Sequence, residues 1–371
     1  MTAEPRTLLH VFSTLNVGGP QVRFATLVNA LGTRFRHRAL AMDRGYASLD
    51  LIDPDAPCAT WDIPVEKNQT LRNIVAFRRH LNALNPDVLI TYNWGAIEWA
   101  VANLARSCPH IHIVDGFGPE EADRQMPRRV LFRRVALAHN TTIVVPSHTL
   151  EKIVTQIWRQ SPSKTVYLPN GIDCSRFDIP RDSALADQFG IPAEATVIGT
   201  VAALRPEKNL GRLLDAFQAI QAGQELRLVI VGDGPEREPM QTKAVELGIT
   251  DRVIFTGYLS DPAPILSLFD IFAISSDTEQ MPISVLEAMA SGLPVAGVDV
   301  GDVRHIVSDA NKDLIVERDS AALSGVMTRL ASDPELRKRV GAANRQHVQS
   351  VYDETTMVEA YGRLFSGERP G

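Results

Sequence analysis

Two glutamates, Glu279 and Glu287, flank a predicted helix start. Pro282 suits the first helical position, because its missing N–H has no partner there in any case, and Gly292 supplies the stop. The pattern predicts a helix over 282–291. The N–H groups at its start favour an anion such as a phosphate. A phosphate site between two carboxylates that bind hydroxyls would match a nucleoside-diphosphate sugar, whose sugar and ribose lie on opposite sides of the diphosphate.

The predicted helix is apolar over most of its circumference, which indicates burial. A carboxylate on such a helix needs a partner or a polar ligand to offset its desolvation. We therefore expect Glu287 to bind the ribose and Glu279 to hold hydroxyls of the donor sugar. An alternative is an ordinary buried helix in which Glu287 caps a neighbouring backbone. The backbone expected to bind the diphosphate belongs to Met281, Pro282, Ile283 and Ser284.

Positive side chains follow the first strand pattern of the second half of the chain. Breaking a bond between a sugar and a diphosphate leaves negative charge on the leaving group, and a preorganised cation stabilises that transition state directly. Lys208 is the candidate because lysines are scarce, seven against 31 arginines. Arg205 in the same loop is a second candidate. A plain surface turn is the alternative.

Loops that follow strand patterns in the first half are also candidates, since ligands of parallel sheets bind at the carboxyl ends of the strands. Gly18 and Gly19 follow the first strand and let the backbone approach a ligand. The dinucleotide fingerprint G-x-G-x-x-G is absent from this loop, which argues against a nicotinamide or flavin enzyme. Asn93 and Trp94 end a later strand and would offer hydrogen bonds and an apolar face to an acceptor sugar.

The segment from Ser275 to Pro294 resembles the donor-site motif of the retaining family 4 glycosyltransferases, in which one Glu, a short loop and a second Glu before Ala-Met-Ala recur. The resemblance covers nearly all of residues 7–366. It implies an α/β fold of GT-B type, two facing Rossmann-like doubly wound domains with the active site in the cleft between them, and a metal-independent reaction without a cofactor. The other matching segments are Pro169 to Asp173, Arg205 to Asn209, Val231 to Pro235, Val253 to Gly257 and Pro294 to Ala296.

The chain departs from the family pattern at two places. A family histidine near the anomeric carbon is replaced by Asp115, whose carboxylate would bind a sugar hydroxyl or accept the proton of the acceptor. His112 in the same strand is predicted to be a core residue. A family arginine falls on Ala203, so Arg205 is expected to reach the diphosphate instead.

Alternating strand and helix patterns run through the chain twice, as two doubly wound sheets require. They predict six strands before and six after the turn at Pro169 to Gly171. The expected domains are 1–170, which would bind the acceptor, and 171–353, which would bind the donor. The resemblance implies that a last helix over about 354–366 packs back on the first domain.

Composition is that of a globular protein, with 371 residues, 44% hydrophobic and 22% charged. The three cysteines are widely spaced, which predicts neither a disulfide framework nor a zinc site. The motif Asp53-Pro54-Asp55 has the letters of a metal-binding Asp-x-Asp, but its Pro-containing polar loop indicates a surface turn. No apolar run is long enough to span a bilayer. We therefore expect a cytoplasmic protein with no bound metal.

Charge is unevenly shared along the chain. Residues 1–170 hold 19 Lys and Arg against 14 Asp and Glu, whereas residues 171–371 hold 19 against 30. A positive first domain suits an anionic acceptor or membrane surface. The most basic segment is compatible with a helix lying on anionic lipid, at the inner face of the membrane; the alternative is a core helix with an arginine-rich outer face. Its arginines are Arg128, Arg129, Arg133 and Arg134.

These observations predict a retaining glycosyltransferase. It would move a hexose or N-acetylhexosamine from a nucleoside-diphosphate sugar to a hydroxyl of a saccharide or lipid-linked saccharide in envelope polysaccharide synthesis. The form of the loop from Glu279 to Pro282 favours a UDP-linked donor, and nothing indicates nucleic-acid binding. A sugar-nucleotide 2-epimerase of the same fold and a non-catalytic sugar-nucleotide-binding protein are the alternatives.

Overall fold

The computed structural model describes residues 4–65, 69–104, 108–121, 124–220 and 223–369. The chain divides into two compact units. The first consists of Met1–Asn170 together with Thr356–Gly371, and the second of Gly171–Thr355. The roles of the two units in binding acceptor and donor remain predictions.

Within the described ranges, the first unit contains a parallel sheet of seven strands in the order β3-β2-β1-β4-β5-β6-β7. The sequence predicted six of them; the seventh, the edge strand over Cys58–Thr60, is exposed at two of its three residues and has no buried apolar run to mark it. All five residues of the interior strand β4 are buried, as expected where helices cover both faces of a parallel sheet. The strands are β1 (Arg6–Phe12), β2 (Phe35–Ala41), β3 (Cys58–Thr60), β4 (Val88–Tyr92), β5 (His110–Ile113), β6 (Thr141–Val145) and β7 (Thr165–Tyr167).

Helices follow most strands of this unit, in the alternation that the sequence predicts. His112 is buried in β5 and hydrogen-bonds the Thr91 hydroxyl at 2.8 Å, as expected for a core histidine. The helices are α1 (Gly19–Leu31), α2 (Thr70–Leu84), α3 (Ile97–Asn103), α4 (Pro127–Ala136) and α5 (His148–Lys152).

The second unit contains a parallel sheet of six strands among its described residues, in the order β10-β9-β8-β11-β12-β13. Its interior strand β8 pairs with β9 on one side and with β11 on the other. The strands are β8 (Thr196–Val201), β9 (Leu226–Val231), β10 (Val253–Gly257), β11 (Ile271–Ile274), β12 (Val295–Val298) and β13 (Ile315–Val316). The helices are α6 (Ser183–Gln188), α7 (Leu210–Gln218), α8 (Arg237–Glu246), α9 (Ala263–Leu266), α10 (Ile283–Ala290), α11 (Val303–Ile306), α12 (Ser320–Ser332) and α13 (Pro334–Val351).

The last helix, α14 (Glu354–Ser366), supplies core residues to the first unit. Phe365 is fully buried and packs edge-on against His10 and Phe35, with ring centroids 5.9 and 5.8 Å apart. Among the described residues, no helix combines the length and the apolar character needed to cross a membrane.

Each sheet has one point where the strand order reverses. In the first unit this point lies between β1 and β4, and in the second between β8 and β11. Open parallel sheets bind their ligands at such switch points, at the carboxyl ends of the strands. The loops that follow these four strands contain most of the residues singled out from the sequence.

Candidate functional site

Two loops meet at the switch point of the second unit. The loop after β11 is joined to the loop after β8 by the Asp277 N–H, which donates to the Glu207 carbonyl at 2.8 Å, and by the Ser275 hydroxyl, which donates to the Lys208 carbonyl at 3.0 Å. The two loops are therefore one structural unit, although they are about seventy residues apart in sequence.

Lys208 and Glu279, both predicted for the site, form an ion pair across these loops. Nζ of Lys208 lies 2.6 Å from Oε1 of Glu279, and the side chains are 23% and 11% exposed. The Ser276 hydroxyl donates to the same Oε1 at 2.8 Å. A cavity of about 10 Å³, room for about one water molecule, is lined by both side chains and by Ser284 at the start of α10. A cation, a carboxylate and a helix start are thus assembled at one point.

Asp277 holds the two loops together, a role that the sequence did not reveal. Its Oδ1 lies 2.7 Å from Nη2 of Arg212, and its Oδ2 accepts a hydrogen bond from the Asn209 side chain at 2.9 Å. Arg212 also donates to the Ser275 carbonyl at 2.6 Å. Charge-assisted hydrogen bonds of this kind are strong and directional. This arrangement, the Asp277 clamp, fixes the loop that carries Glu279 against the loop that carries Lys208.

Helix α10 begins one residue later than predicted. Pro282 has φ −69° and ψ 115°, so it is the extended residue before the helix rather than its first helical residue. The fixed φ of proline is compatible with both positions, and only ψ separates them. The Val285 N–H donates to the Pro282 carbonyl at 3.1 Å. Among the described residues, no acceptor is found for the N–H groups of Ile283 and Ser284.

Glu287 lies one turn into α10, half-buried. Burial raises the pKa of its carboxyl to about 7, with Arg176 nearby lowering it and Asp261 raising it. Arg176 is itself paired with Asp261, at 2.9 Å. No hydrogen bond to the Glu287 carboxyl is found in the described part of the chain, so the structure does not show it capping a neighbouring backbone. A half-buried carboxyl without a partner is suited to accept hydrogen bonds from ligand hydroxyls.

The loops at the switch point of the first unit also lie close together. Gly18 precedes α1 in an extended conformation, and its carbonyl accepts the N–H groups of Gln21 and Val22. Gly19 is the first residue of that helix and is exposed. A Cβ on Gly95, after β4, would lie 2.4 Å from the Cβ of Ser13, after β1, so only glycine permits this approach.

Asn93 and Asp115, predicted on the acceptor side, hold each other in place. Asn93 has φ 54°, an uncommon value outside glycine, and its side-chain oxygen accepts the Asp115 N–H at 2.8 Å. The Asp115 carboxylate lies 2.7 Å from Nη2 of Arg23, a buried residue of α1 that also donates to Asn170 at 2.7 Å. Sequence reasoning missed Arg23, because nothing in its helix distinguishes it. Oδ2 of Asp115 is buried and has no hydrogen-bond partner among the described residues.

The arginine-rich segment forms α4, but its arginines do not share a lipid-facing surface. Arg133 is 2% exposed and makes paired hydrogen bonds to Glu121, 2.9 and 2.7 Å long. Burial alone would raise the pKa of Glu121, but hydrogen bonds from Arg133 and Arg129 lower it to about 2. The membrane prediction is therefore wrong for Arg133, which the buried carboxylate draws inward. Arg134 is half-buried and donates to the Ile157 carbonyl at 2.7 Å.

Two family profiles match the chain. Residues 18–171 match the profile described as "Glycosyl transferase 4-like domain", and residues 182–347 match "Glycosyl transferases group 1". The chain belongs to the family 4 glycosyltransferases. The two matches correspond closely to the two units of the fold.

Solved structures show that this chain has the GT-B fold. Anabaena Alr3699/HepE in complex with UDP superposes with a TM-score of 0.84 at 17% identity, over 98% of this chain and 100% of that one. The N-acetyl-alpha-D-glucosaminyl L-malate synthase of Bacillus anthracis is 26% identical over 62% of this chain. The lipopolysaccharide core biosynthesis glycosyltransferase LpsD of Rhizobium meliloti is 30% identical over 47% of it. The chain spans between 45% and 61% of the lengths of the first four curated relatives it matches.

The chain has an alanine at position 203, where the family resemblance implies an arginine. Ala203 is exposed, and so is Arg205 two residues later. Within the described ranges, the Arg205 guanidinium has no ion-pair partner, so its charge is available to a ligand. Its expected contact with the diphosphate remains a prediction.

Proposed function

We propose that this protein is a retaining glycosyltransferase that transfers a hexose or N-acetylhexosamine from a UDP-sugar to a hydroxyl of a saccharide or lipid-linked acceptor. The observation that carries the proposal is the 2.6 Å pair of Lys208 with Glu279 at the switch point between β8 and β11, beside the start of α10. Cation, carboxylate and helix start are the groups that a nucleoside-diphosphate sugar requires.

Each group of the donor then has a partner in the second unit. The N–H groups of Ile283 and Ser284 and the positive end of α10 would bind the diphosphate. Glu287, whose carboxyl has no hydrogen bond among the described residues, would accept the ribose hydroxyls. Glu279 would hold hydroxyls of the donor sugar.

The reaction breaks the bond between the anomeric carbon and a diphosphate oxygen, and it forms a bond from that carbon to the acceptor oxygen. The acceptor hydroxyl passes its proton to the departing diphosphate oxygen, and UDP leaves with the bonding electrons. Lys208, with Arg205, would stabilise the charge that grows on the diphosphate. In this proposal these two cations offset that charge in place of a metal ion. Asp115 would hydrogen-bond the acceptor through its carboxylate.

The comparisons support the donor more closely than the acceptor. Two further structures of the same Anabaena protein contain UDP with glucose and UDP-glucose, with TM-scores of 0.83 and 0.81. The names of the Bacillus anthracis and Rhizobium meliloti relatives refer to L-malate and to the lipopolysaccharide core. Because the Rhizobium meliloti name refers to the lipopolysaccharide core, we propose an acceptor in envelope saccharide synthesis.

A product assay tests the proposal. The protein is incubated with UDP-glucose or UDP-N-acetylglucosamine, with and without saccharide acceptors, while UDP release and the anomeric configuration of the product are followed by NMR. We expect slow release of UDP alone, faster release with an acceptor, and a product that keeps the α configuration of the donor. Epimerised sugar nucleotide without acceptor, inverted product, or binding without turnover would each overturn the proposal.

A further inference from the structure

The first unit contains a cavity of about 600 Å³ bordered by the first turns of α2, α3 and α4. These helices follow strands of the sheet, so the cavity lies toward the carboxyl ends of those strands. Its volume is in the range of small-molecule sites. The lining residues that matter here are Asn73, Trp94, Glu98, Arg128, Arg129 and Phe132.

Two of the three charged side chains in this cavity have no ion-pair partner. Arg129 lies 2.6 Å from Glu120 and 3.0 Å from Glu121, so its charge is compensated. Arg128 and Glu98 form no ion pair within the part of the chain that the structure describes. A cavity that presents one uncompensated cation and one uncompensated carboxylate is prepared for a ligand that carries complementary groups.

Trp94 gives the cavity an apolar wall held in a fixed position. The guanidinium carbons of Arg129 and Arg133 each lie 4.9 Å from its ring centroid, and Phe132 packs edge-on at 5.6 Å. Both arginines are fixed in turn by Glu121. An immobilised indole ring beside polar side chains suits a ring that has apolar C–H faces and hydroxyls at its edge.

We propose that this cavity is the acceptor site and that the acceptor is a compact hydroxylated ring with an anionic substituent, a phosphate or a carboxylate. The inference rests on the proposed transferase function and deepens it. Arg128 pairs with the anion, Glu98 accepts hydrogen bonds from ring hydroxyls, and Trp94 contacts the ring. Residues 1–170 contain 19 basic and 14 acidic residues, and this excess of positive charge favours an anionic ligand over a cationic one.

Binding of matched sugars to the full chain tests the charge preference. The probes are glucose, glucose 6-phosphate, glucuronate and glucosamine, titrated with UDP present and followed by NMR. We expect glucose 6-phosphate or glucuronate to bind about tenfold more tightly than glucose, as one charge-assisted contact allows. Tighter binding of glucosamine, or binding of all four sugars with equal affinity, would overturn the proposal.

Variants assign the preference to this cavity. Arg128→Gln is expected to remove the advantage of the anionic sugars, whereas Arg124→Gln, which removes an exposed arginine outside the cavity, retains it. Glu98→Gln should weaken all four sugars alike, because it acts through the hydroxyls. An unchanged preference in Arg128→Gln would contradict the assignment.

Two further arms separate the remaining possibilities. If a lipid carries the anionic ring, phosphatidylcholine vesicles with phosphatidylinositol will bind the wild type and not Arg128→Gln, while glucose 6-phosphate stays unbound. No binding of sugars or vesicles would refute the proposal.

Titration with UDP in the same samples reports on the second unit. If UDP fails to bind the wild type, the transferase function itself fails; if UDP binds and only the anion preference is missing, the acceptor inference alone fails.

Discussion

Nζ of Lys208 lies 2.6 Å from Oε1 of Glu279, so a cation and a carboxylate from two distant loops compensate each other without a ligand. Their pairing fixes both side chains near the start of α10 before any donor binds. A diphosphate would compete with Glu279 for the Lys208 ammonium and release the carboxylate toward the sugar hydroxyls. Preorganisation of this kind spares reorganisation during the reaction.

Loss of the Lys208 cation should slow the chemical step. We expect Lys208→Ala to lose roughly 3 kcal/mol of transition-state stabilisation, about a hundredfold in the rate of UDP release. Lys312→Ala is the matched control, because Lys312 forms a 2.6 Å pair with Asp309 in the segment before β13, away from the switch-point loops. Turnover of Lys208→Ala within a few-fold of the wild type would remove the assignment.

Glu287 should make the stability of the protein depend on pH. Its folded pKa is raised to about 7 from a reference value of 4.5, so between these values the folded state binds more protons than the unfolded state. The free energy of unfolding therefore falls as pH rises through this window. Glu287→Gln removes the effect. We therefore expect the melting temperature of the variant to rise relative to that of the wild type as the pH increases from 5 to 8. Glu246→Gln, at an exposed position in α8, controls for loss of a surface charge. A constant difference between Glu287→Gln and wild type would speak against the buried carboxyl.

The Asp277 clamp should matter for activity more than for folding. In the wild type, the Asp277 carboxylate accepts hydrogen bonds from Arg212 at 2.7 Å and from Asn209 at 2.9 Å. In Asp277→Asn, the side-chain N–H₂ group, which is a donor, replaces one of the two accepting oxygens and faces Arg212 or Asn209. We expect kcat/KM for the donor to fall about tenfold as the loop with Glu279 loosens. Asp309→Asn breaks an exposed pair and is expected to leave kcat/KM unchanged. Equal kinetics for the two variants would show that the clamp does not position Glu279.

Gly301 lies against the backbone of the loop that carries Glu279. Its φ is +54°, and a Cβ there would lie 2.3 Å from the Glu279 carbonyl oxygen. We expect Gly301→Ala to displace this loop and to lower donor turnover at least tenfold. Gly248→Ala provides a close control, because Gly248 has φ +65° but nothing within 4 Å of the added Cβ. The control should lose only about 1 kcal/mol of stability from backbone strain. If both variants kept full activity, the loop position would not govern turnover.

Local sequence signals were enough to predict the elements that meet at the start of α10. Each of these signals lies within a segment of about twenty residues: the proline before α10 with its flanking glutamates, and the cation after β8. The structure then brings Lys208 and Glu279 together. The sequence also placed a helix at α10 to within a residue at each end. Strand β3 was missed because two of its three residues are exposed, so it has no run of buried β-branched or aromatic residues to mark it.

Contacts between distant residues could not be predicted in this way. Arg23 and Asp115 are 92 positions apart, and Arg212 and Asp277 are 65 apart. The burial of Arg133 was missed for a similar reason. Helical periodicity assigns a charged residue to the solvent, and only the position of Glu121, in a different segment, makes an inward-facing arginine favourable.

Titration of UDP at pH 8 tests the central claim most directly, since Glu287 is then largely ionised and able to accept the ribose hydroxyls. By calorimetry we predict one UDP per chain for the wild type, affinity at least tenfold weaker for Glu287→Gln, and unchanged affinity for Glu246→Gln. Failure of the wild type to bind UDP, or equal affinity of all three proteins, would contradict a nucleotide site at α10.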